Sequence, residues 1–513
     1  MRLLATTFLA ILLASPAFAG ANPADCEGHD PALIKQGCSA ILAAGQNMQS
    51  LDFEAYNNRA LAELDLQEPQ AALHDAQAGI ALNPNNGPIH LALARAYLAL
   101  NQPAKALDAA SQAMTLSPND SGPYVLLGEL QLLRGDWQAS ITEQTRALQR
   151  DPTSTEAYMA RAVAEMQGND ISSALADANQ AASLGSTDAR IHLIRGLAAA
   201  DANSWQVAQV EESLFLTQND TGLYAVYALP VLAQAQLNLG DPHGALVSIN
   251  RAIALMPQAP NFYMQRAVIE AVLGQTQAEM DDLTTVINAA SSASPQVGDK
   301  EMLYHSLTLR SGAYLALHQI AQARADITKA ITLFPKQPQA YAVLADIEHA
   351  AGNLDAAIAA DQKAIAADPN DALLYASLSM LHDAQHNYAA AAADEAAILK
   401  IQPHSAPDLN NRCWFLALDG KLDEALDDCQ LALKITPNDP ATLDSTGFVY
   451  LQKQQNELAI HYYTLALKAA PQMASSLYGR GLAEQRLGDT KKAEADIALA
   501  KKYDPDIMKD FGT

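Results

Sequence analysis

Apolar residues recur along this chain in short helical runs, and most runs close on a proline that mostly precedes turn-forming residues. Pro84, Pro118 and Pro152 stand 34 residues apart, as do Pro335, Pro369, Pro403, Pro437, Pro471 and Pro505. A proline there ends a helix, because it lacks the N–H and clashes with the preceding turn. Ser117-Pro118-Asn119-Asp120 shows the pattern in full.

Setting each such proline at position 32 of a unit gives thirteen units, starting at residues 53, 87, 121, 155, 189, 226, 260, 304, 338, 372, 406, 440 and 474. They are numbered repeats 1 to 13 below. Two steps depart from 34: 189 to 226 is 37 residues and 260 to 304 is 44. Position 8 is small in every unit, from Ala60 and Ala94 to Gly447 and Gly481, and position 20 is alanine in eleven of thirteen. Small residues at both places predict two antiparallel helices per unit, packed closely, with larger apolar residues filling the groove. Alanine and leucine abound and charged residues are only 17%, a mixture that suits helices on helices.

A small residue at 8, an aromatic or Leu at 4, Ala at 20 and Pro at 32 resembles the tetratricopeptide repeat. Repeat 12 carries the set whole: Leu443, Gly447, Tyr450, Ala459, Tyr463, Ala466 and Pro471. The likeness runs from about residue 53 to 505; Ser186 and Ser291 replace the proline, and repeat 5 lacks the usual glycine between its helices. The resemblance implies an all-α fold, a right-handed superhelical solenoid of about thirteen antiparallel helix pairs. The expected organisation is a signal peptide at 1–19, an N-terminal cap at 20–52, repeats 1–7 at 53–293, an inserted loop at 294–303, repeats 8–13 at 304–505 and a tail at 506–513. The insertion, with Ser291-Ser292-Ala293-Ser294-Pro295, reads either as a hinge between sub-arrays or as a tolerated loop.

Position 7 is arginine in seven units, and each of these has an acid at position 23: Arg59/Asp75, Arg161/Asp177, Arg195/Glu211, Arg266/Asp282, Arg310/Asp326, Arg412/Asp428 and Arg480/Asp496. In an antiparallel pair these positions lie opposite each other, which predicts interhelical ion pairs; exposed ones contribute only ~0.5 kcal/mol. Cys413 and Cys429, at positions 8 and 24, are opposed by the same geometry and predict a disulfide across one hairpin. Cys26 and Cys38 predict a second, tying the leader to a helix of roughly residues 31 to 45 that caps the array. At the far end Lys491, Lys492, Glu494, Lys501 and Lys502 make the last helix polar enough to cap itself.

Targeting and charge place the chain in its surroundings. Arg2, the apolar run to Leu13 and Ala17-Phe18-Ala19 read as a secretory signal, giving a periplasmic or secreted protein in which disulfides persist. The run is shorter than the about 20 residues a membrane span needs, and the mature chain has no transmembrane segment. A net charge of −25 argues against nucleic acid, whose phosphates call for clustered Lys and Arg.

No phosphate loop, nucleophile elbow or Cys-x-x-Cys occurs, no cofactor or metal is expected, and an enzyme is not the reading. His382 and His386 have metal-like spacing, but a third ligand is missing. Binding is the remaining chemistry. In the family that the repeat resembles, positions 2, 5, 9, 12 and 13 line the concave groove. Asn410, Trp414, Asp444, Phe448 and Tyr478 fall there, and aromatics beside an amide and a carboxylate suit an extended peptide. The open alternative is that Trp414 and Phe448 pack between helices. The expected function is a non-catalytic scaffold in the periplasm or cell envelope that binds a protein or peptide partner along that groove. The alternative function is a module for an extended polysaccharide, which needs aromatic platforms in series.

Overall fold

The computed structural model describes residues 22–44, 49–219, 221–292 and 297–507. Among them the chain forms α-helices and one short 3-10 helix, Pro23–Glu27, with no strand. From residue 49 the helices fall in thirteen antiparallel pairs, one per repeat, so the fold is an all-α solenoid.

One backbone device makes every hairpin. Position 15 has positive φ in all thirteen repeats, between 54° at Asn203 and 86° at Gly488. Glycine fills it six times, as at Gly135 and Gly420; elsewhere Gln67, Asn101, Asn169, Asn203, His318, His386 and Gln454 are held there. A left-handed residue just past the first helix closes its last carbonyls and turns the chain. The second helix then starts at once, and Asp136, Asp170, Asp241, Asn387 and Asp489, all at position 16, cap it through the side chain. Repeat 5 therefore keeps its turn without glycine, because Asn203 accepts the conformation.

Two compact units divide the chain, Met1–Gln258 and Ala259–Thr513. The first holds the cap and repeats 1 to 6. Its cap is the 3-10 helix and the helix Pro31–Ala43, joined by the Cys26–Cys38 disulfide with Cα atoms 4.7 Å apart. Both cysteines are buried with Ala55 of repeat 1, and Asn58 donates to the Cys26 carbonyl at 3.1 Å. The cap thereby covers the apolar end that repeat 1 would expose to water.

The second unit holds repeats 7 to 13. Its main core joins repeats 10 to 13 around Cys413, Cys429, Val449, Tyr463 and Ala483. Tyr463 is fully buried against two glycines: a Cβ on Gly447 would stand 2.8 Å from its ring and one on Gly479 2.3 Å. Small residues at position 8 are thus the space that a large position 24 occupies.

Three expectations need correction or restriction. The stretch 294–303, read as a loop, is helix from Val297 onward and extends the first helix of repeat 8 back to Val297–Ala316. The reason is its composition: past Gly298 the run Asp-Lys-Glu-Met-Leu is made largely of good helix formers. The tail from 506 is not wholly free, since Ile507 is buried against Leu467, Leu477 and Tyr478. The segment read as a signal peptide, 1–19, lies outside the described residues.

Candidate functional site: the inner face of the second unit

The first helices of successive repeats touch one another from repeat 1 to repeat 6, between repeats 8 and 9 and from repeat 11 to repeat 13, whereas the second helices pack mainly on their own partner and the first helix that follows. The first helices therefore stand closer together and line the inner side of the stack.

Arginine–aspartate ion pairs cross six of the thirteen hairpins. Six of the seven predicted pairs form, each with Arg Nε on one aspartate oxygen at 2.5–2.7 Å and Nη2 on the other. This two-point geometry fixes the planes of both groups, which a single contact does not. Arg195 is the exception: it donates to Asn179 Oδ1 at 2.9 Å, while Glu211 takes His192 Nδ1 at 2.6 Å. His192, within the same hairpin, reaches the longer carboxylate first.

Of the five residues proposed from sequence, the structure separates two groups. Phe448 and Tyr478 are core side chains, 3% and 4% exposed, so they are corrected from partner contacts to packing. Phe448 belongs to the core shared by repeats 10 to 13, and Tyr478 packs with Leu467, Ala500 and Ile507. Trp414 is half-buried, and its ring lies on Phe448 with centroids 4.8 Å apart and planes at 43°. Asn410 is half-buried, and its Oδ1 has no hydrogen-bond partner among the described residues. Asp444 accepts from the Ser476 hydroxyl, and burial pushes its carboxyl up to about 6 against the opposing hydrogen bonds of Ser476 and Ser475. The cluster is therefore a short ledge, not the series of aromatic platforms that a polysaccharide would need.

What sequence reasoning missed lies one repeat earlier. Leu373 and Met380, at positions 2 and 9 of repeat 10, are 78% and 66% exposed. Val268 and Val272, at positions 9 and 13 of repeat 7, are exposed as well. Neither pair is aromatic or amide-bearing; the sequence signal they carry is an apolar residue at position 2, 9 or 13 of its unit. Isolated exposed leucines are ordinary on a protein surface, but Leu373 and Met380 share one face of the first helix of repeat 10, the repeat before Trp414.

The histidine pair resolves into packing and turn. His382 Nδ1 lies 2.6 Å from Asp394 Oδ2, filling the position 23 partnership where repeat 10 has no arginine. His386 is the left-handed turn residue, with Nδ1 3.0 Å from the Tyr388 hydroxyl. Among the described residues no three His, Cys, Asp or Glu side chains gather as a metal would require. No helix there is long and apolar enough to cross a membrane.

An array of helical hairpins, one inward face per pair, and a turn repeated at one position define the class: an interaction-type repeat solenoid. The tetratricopeptide repeat family profile matches residues 57–121, 91–155, 311–372 and 448–506. The helix pairs in those stretches are tetratricopeptide repeats. Among solved structures, it is similar to a chain of the APC/C hetero-tetramer Cut9-Hcn1 (14% identity over 91% of this chain and 97% of that one, TM-score 0.32). It is also similar to a tetratricopeptide repeat protein from Parabacteroides merdae (18% identity, 51% and 98% covered, TM-score 0.38). A third is YrrB, described as a TPR protein with an unusual peptide-binding site (20% identity, 36% and 94% covered, TM-score 0.29). No curated protein matches the chain.

Proposed function

We propose that this protein is a non-catalytic scaffold of the periplasm or cell envelope that docks an extended partner segment on the inner face of repeats 10 to 12. The observations that carry the reading are the exposure of Leu373 and Met380 on the first helix of repeat 10 and the half-buried Trp414 and Asp444 on the first helices of the next two repeats. An extended segment crossing first helices presents alternate side chains to successive repeats, so apolar anchors over Leu373, Met380 and Trp414 supply contact area. The Asp444 carboxylate and the unpartnered Asn410 Oδ1 are both acceptors, which favours a segment bringing N–H donors, and a chain of net charge −25 draws basic partners. Tetratricopeptide-repeat proteins are generally non-catalytic scaffolds, which supports leaving catalysis out. Export is supported by the Arg2-to-Ala19 signal pattern and by four cysteines paired as two disulfides.

Photo-crosslinking groups placed at Leu373, Met380 and Trp414, and at the exposed second-helix positions Leu431 and Leu465, test the docking face in the native envelope. The reading expects one protein adduct from the first set and none from the second. Adducts confined to Leu431 and Leu465 would overturn it.

A further inference from the structure

Four of the arginine pairs carry a second acid. Position 11 of repeats 1, 4, 7 and 13 is glutamate, one helical turn beyond the arginine: Glu63, Glu165, Glu270 and Glu484. Each triad then holds one cation and two carboxylates. The arginine spends its planar fork on the aspartate, at both oxygens, and the glutamate gets only its flank: Arg161 Nε stands 3.9 Å from Glu165 and Arg266 Nε 3.7 Å from Glu270. All four glutamates are buried, and in all four the same atom, Oε2, is buried with no hydrogen-bond partner. A buried anionic oxygen with no donor, beside another carboxylate, is a costly arrangement that a proton relieves.

We propose that Glu63, Glu165, Glu270 and Glu484 are proton-binding sites, and that proton uptake at their Oε2 atoms as the surroundings acidify tightens the helix hairpins of repeats 1, 4, 7 and 13. The proton cancels the second negative charge of each triad and turns an acceptor without a donor into a donor. Burial, then the neighbouring aspartate, pushes the Glu63, Glu165 and Glu270 carboxyls up to about 7, and Glu484 moves the same way. The other groups facing them do not cancel this. Glu63 meets Arg59, Asp75, Glu68 and Lys35 of the cap; Glu165 meets Arg161, Asp177 and Asp170. Glu270 meets Arg266, Asp282, Glu279 and Asp281; Glu484 meets Arg480, Asp496, Lys492 and Asp489.

The molecule contains its own controls. Arg310/Asp326 and Arg412/Asp428 have Tyr314 and Leu416 at position 11, so their charges balance. In repeat 9, Glu348 occupies position 11 but has an arginine to itself, Arg324 of the preceding repeat, at 2.6 and 2.8 Å. That pair holds Glu348 below the usual carboxylate range. A glutamate at one position is thus driven toward the acid or the anion by whether its arginine is shared.

Linkage gives the direction. A carboxyl whose folded pKa is raised contributes stability that is fully present below its unfolded value and lost as pH rises through the folded one. For the triads that window runs from 4.5 to about 7. The test is urea unfolding of the full chain at about pH 8 and about pH 5.5, for wild type, Glu165→Gln/Glu270→Gln and Glu348→Gln. The expected result is a higher midpoint at the lower pH for wild type, a smaller pH difference for the double variant through a gain at the higher pH, and a loss there for Glu348→Gln. Infrared spectra of the folded wild type should show protonated carboxyl C=O absorption at about pH 6, reduced in the double variant, which reads the protons even if a variant unfolds early. An unchanged pH difference in the double variant, or no such absorption in wild type, would overturn the proposal.

Discussion

Repeats 11 and 5 fill the same slot between their helices in opposite ways. In repeat 11, positions 8 and 24 are Cys413 and Cys429, joined with Cα atoms 5.5 Å apart, and Arg412 grips Asp428 beside them. In repeat 5 the slot is Gly196 and Glu212. The glutamate is 0% exposed, neither oxygen has a hydrogen-bond partner, and burial pushes its carboxyl up to about 9. A Cβ on Gly196 would stand 2.3 Å from Glu212 Oε1, so the side chain fills the glycine's space without satisfying its own polar atoms. The flanking pair has also been replaced, with Arg195 on Asn179 of the preceding repeat and Glu211 on His192. One hairpin is stapled twice; the other is held by packing, its turn and the single His192–Glu211 contact. The lesson is that the repeat tolerates a large local cost when its neighbours keep the backbone in place.

The difference can be broken from either side. Cys413→Ala/Cys429→Ala opens a loop of separation 16 and is expected to lower stability by about 3 kcal/mol, read as a drop in the urea midpoint under oxidising conditions. Arg161→Ala leaves the buried Asp177 without its partner and is expected to cost about 2 kcal/mol, whereas Arg195→Ala costs under about 0.5 kcal/mol by the same measurement. Equal costs for the two arginines would show that the bidentate geometry contributes nothing.

Glu212→Leu repairs repeat 5 and is expected to raise stability by about 1–2 kcal/mol at neutral pH. Its pH dependence sharpens the point. Glu212 has a raised folded pKa, so its contribution is lost progressively as pH rises from 4.5 through about 9. The gain from the leucine should therefore be larger at about pH 9 than at about pH 6, in unfolding curves at both. The smallest effect belongs to the turns: Gln454→Gly is expected to add about 0.5–1 kcal/mol, because glycine adopts the φ of 59° that glutamine holds against strain. Gly420→Gln should lose a similar amount.

How much of this was legible in the sequence follows from which forces are local. The repeat phase came from prolines and small residues, whose backbone and size constraints hold whatever the neighbours do, and the structure has one helix pair in every unit. The arginine pairs were legible because one rule of register brings 7 to 23, and six of seven formed. Arg195 failed because His192 competes for the same acid, a three-body outcome that spacing alone does not contain. The stretch from Val297 was misread because serine and proline just before it masked a run of helix formers. At the candidate site the inner-face register was legible, but exposure was not. Phe448 and Tyr478 occupy the same unit positions yet are packed into the core, while Leu373 and Met380 stay open. Burial depends on the spacing of adjacent repeats, which tertiary packing sets.

The central claim is that partners dock on the inner face through Leu373, Met380 and Trp414. Its most direct test is the dissociation constant of the partner recovered by crosslinking, measured against the full chain and against Leu373→Asp/Met380→Asp/Trp414→Ala with its helical circular dichroism checked. The account predicts at least about a tenfold weakening with the helical signal intact. An unchanged dissociation constant in the folded variant would contradict it.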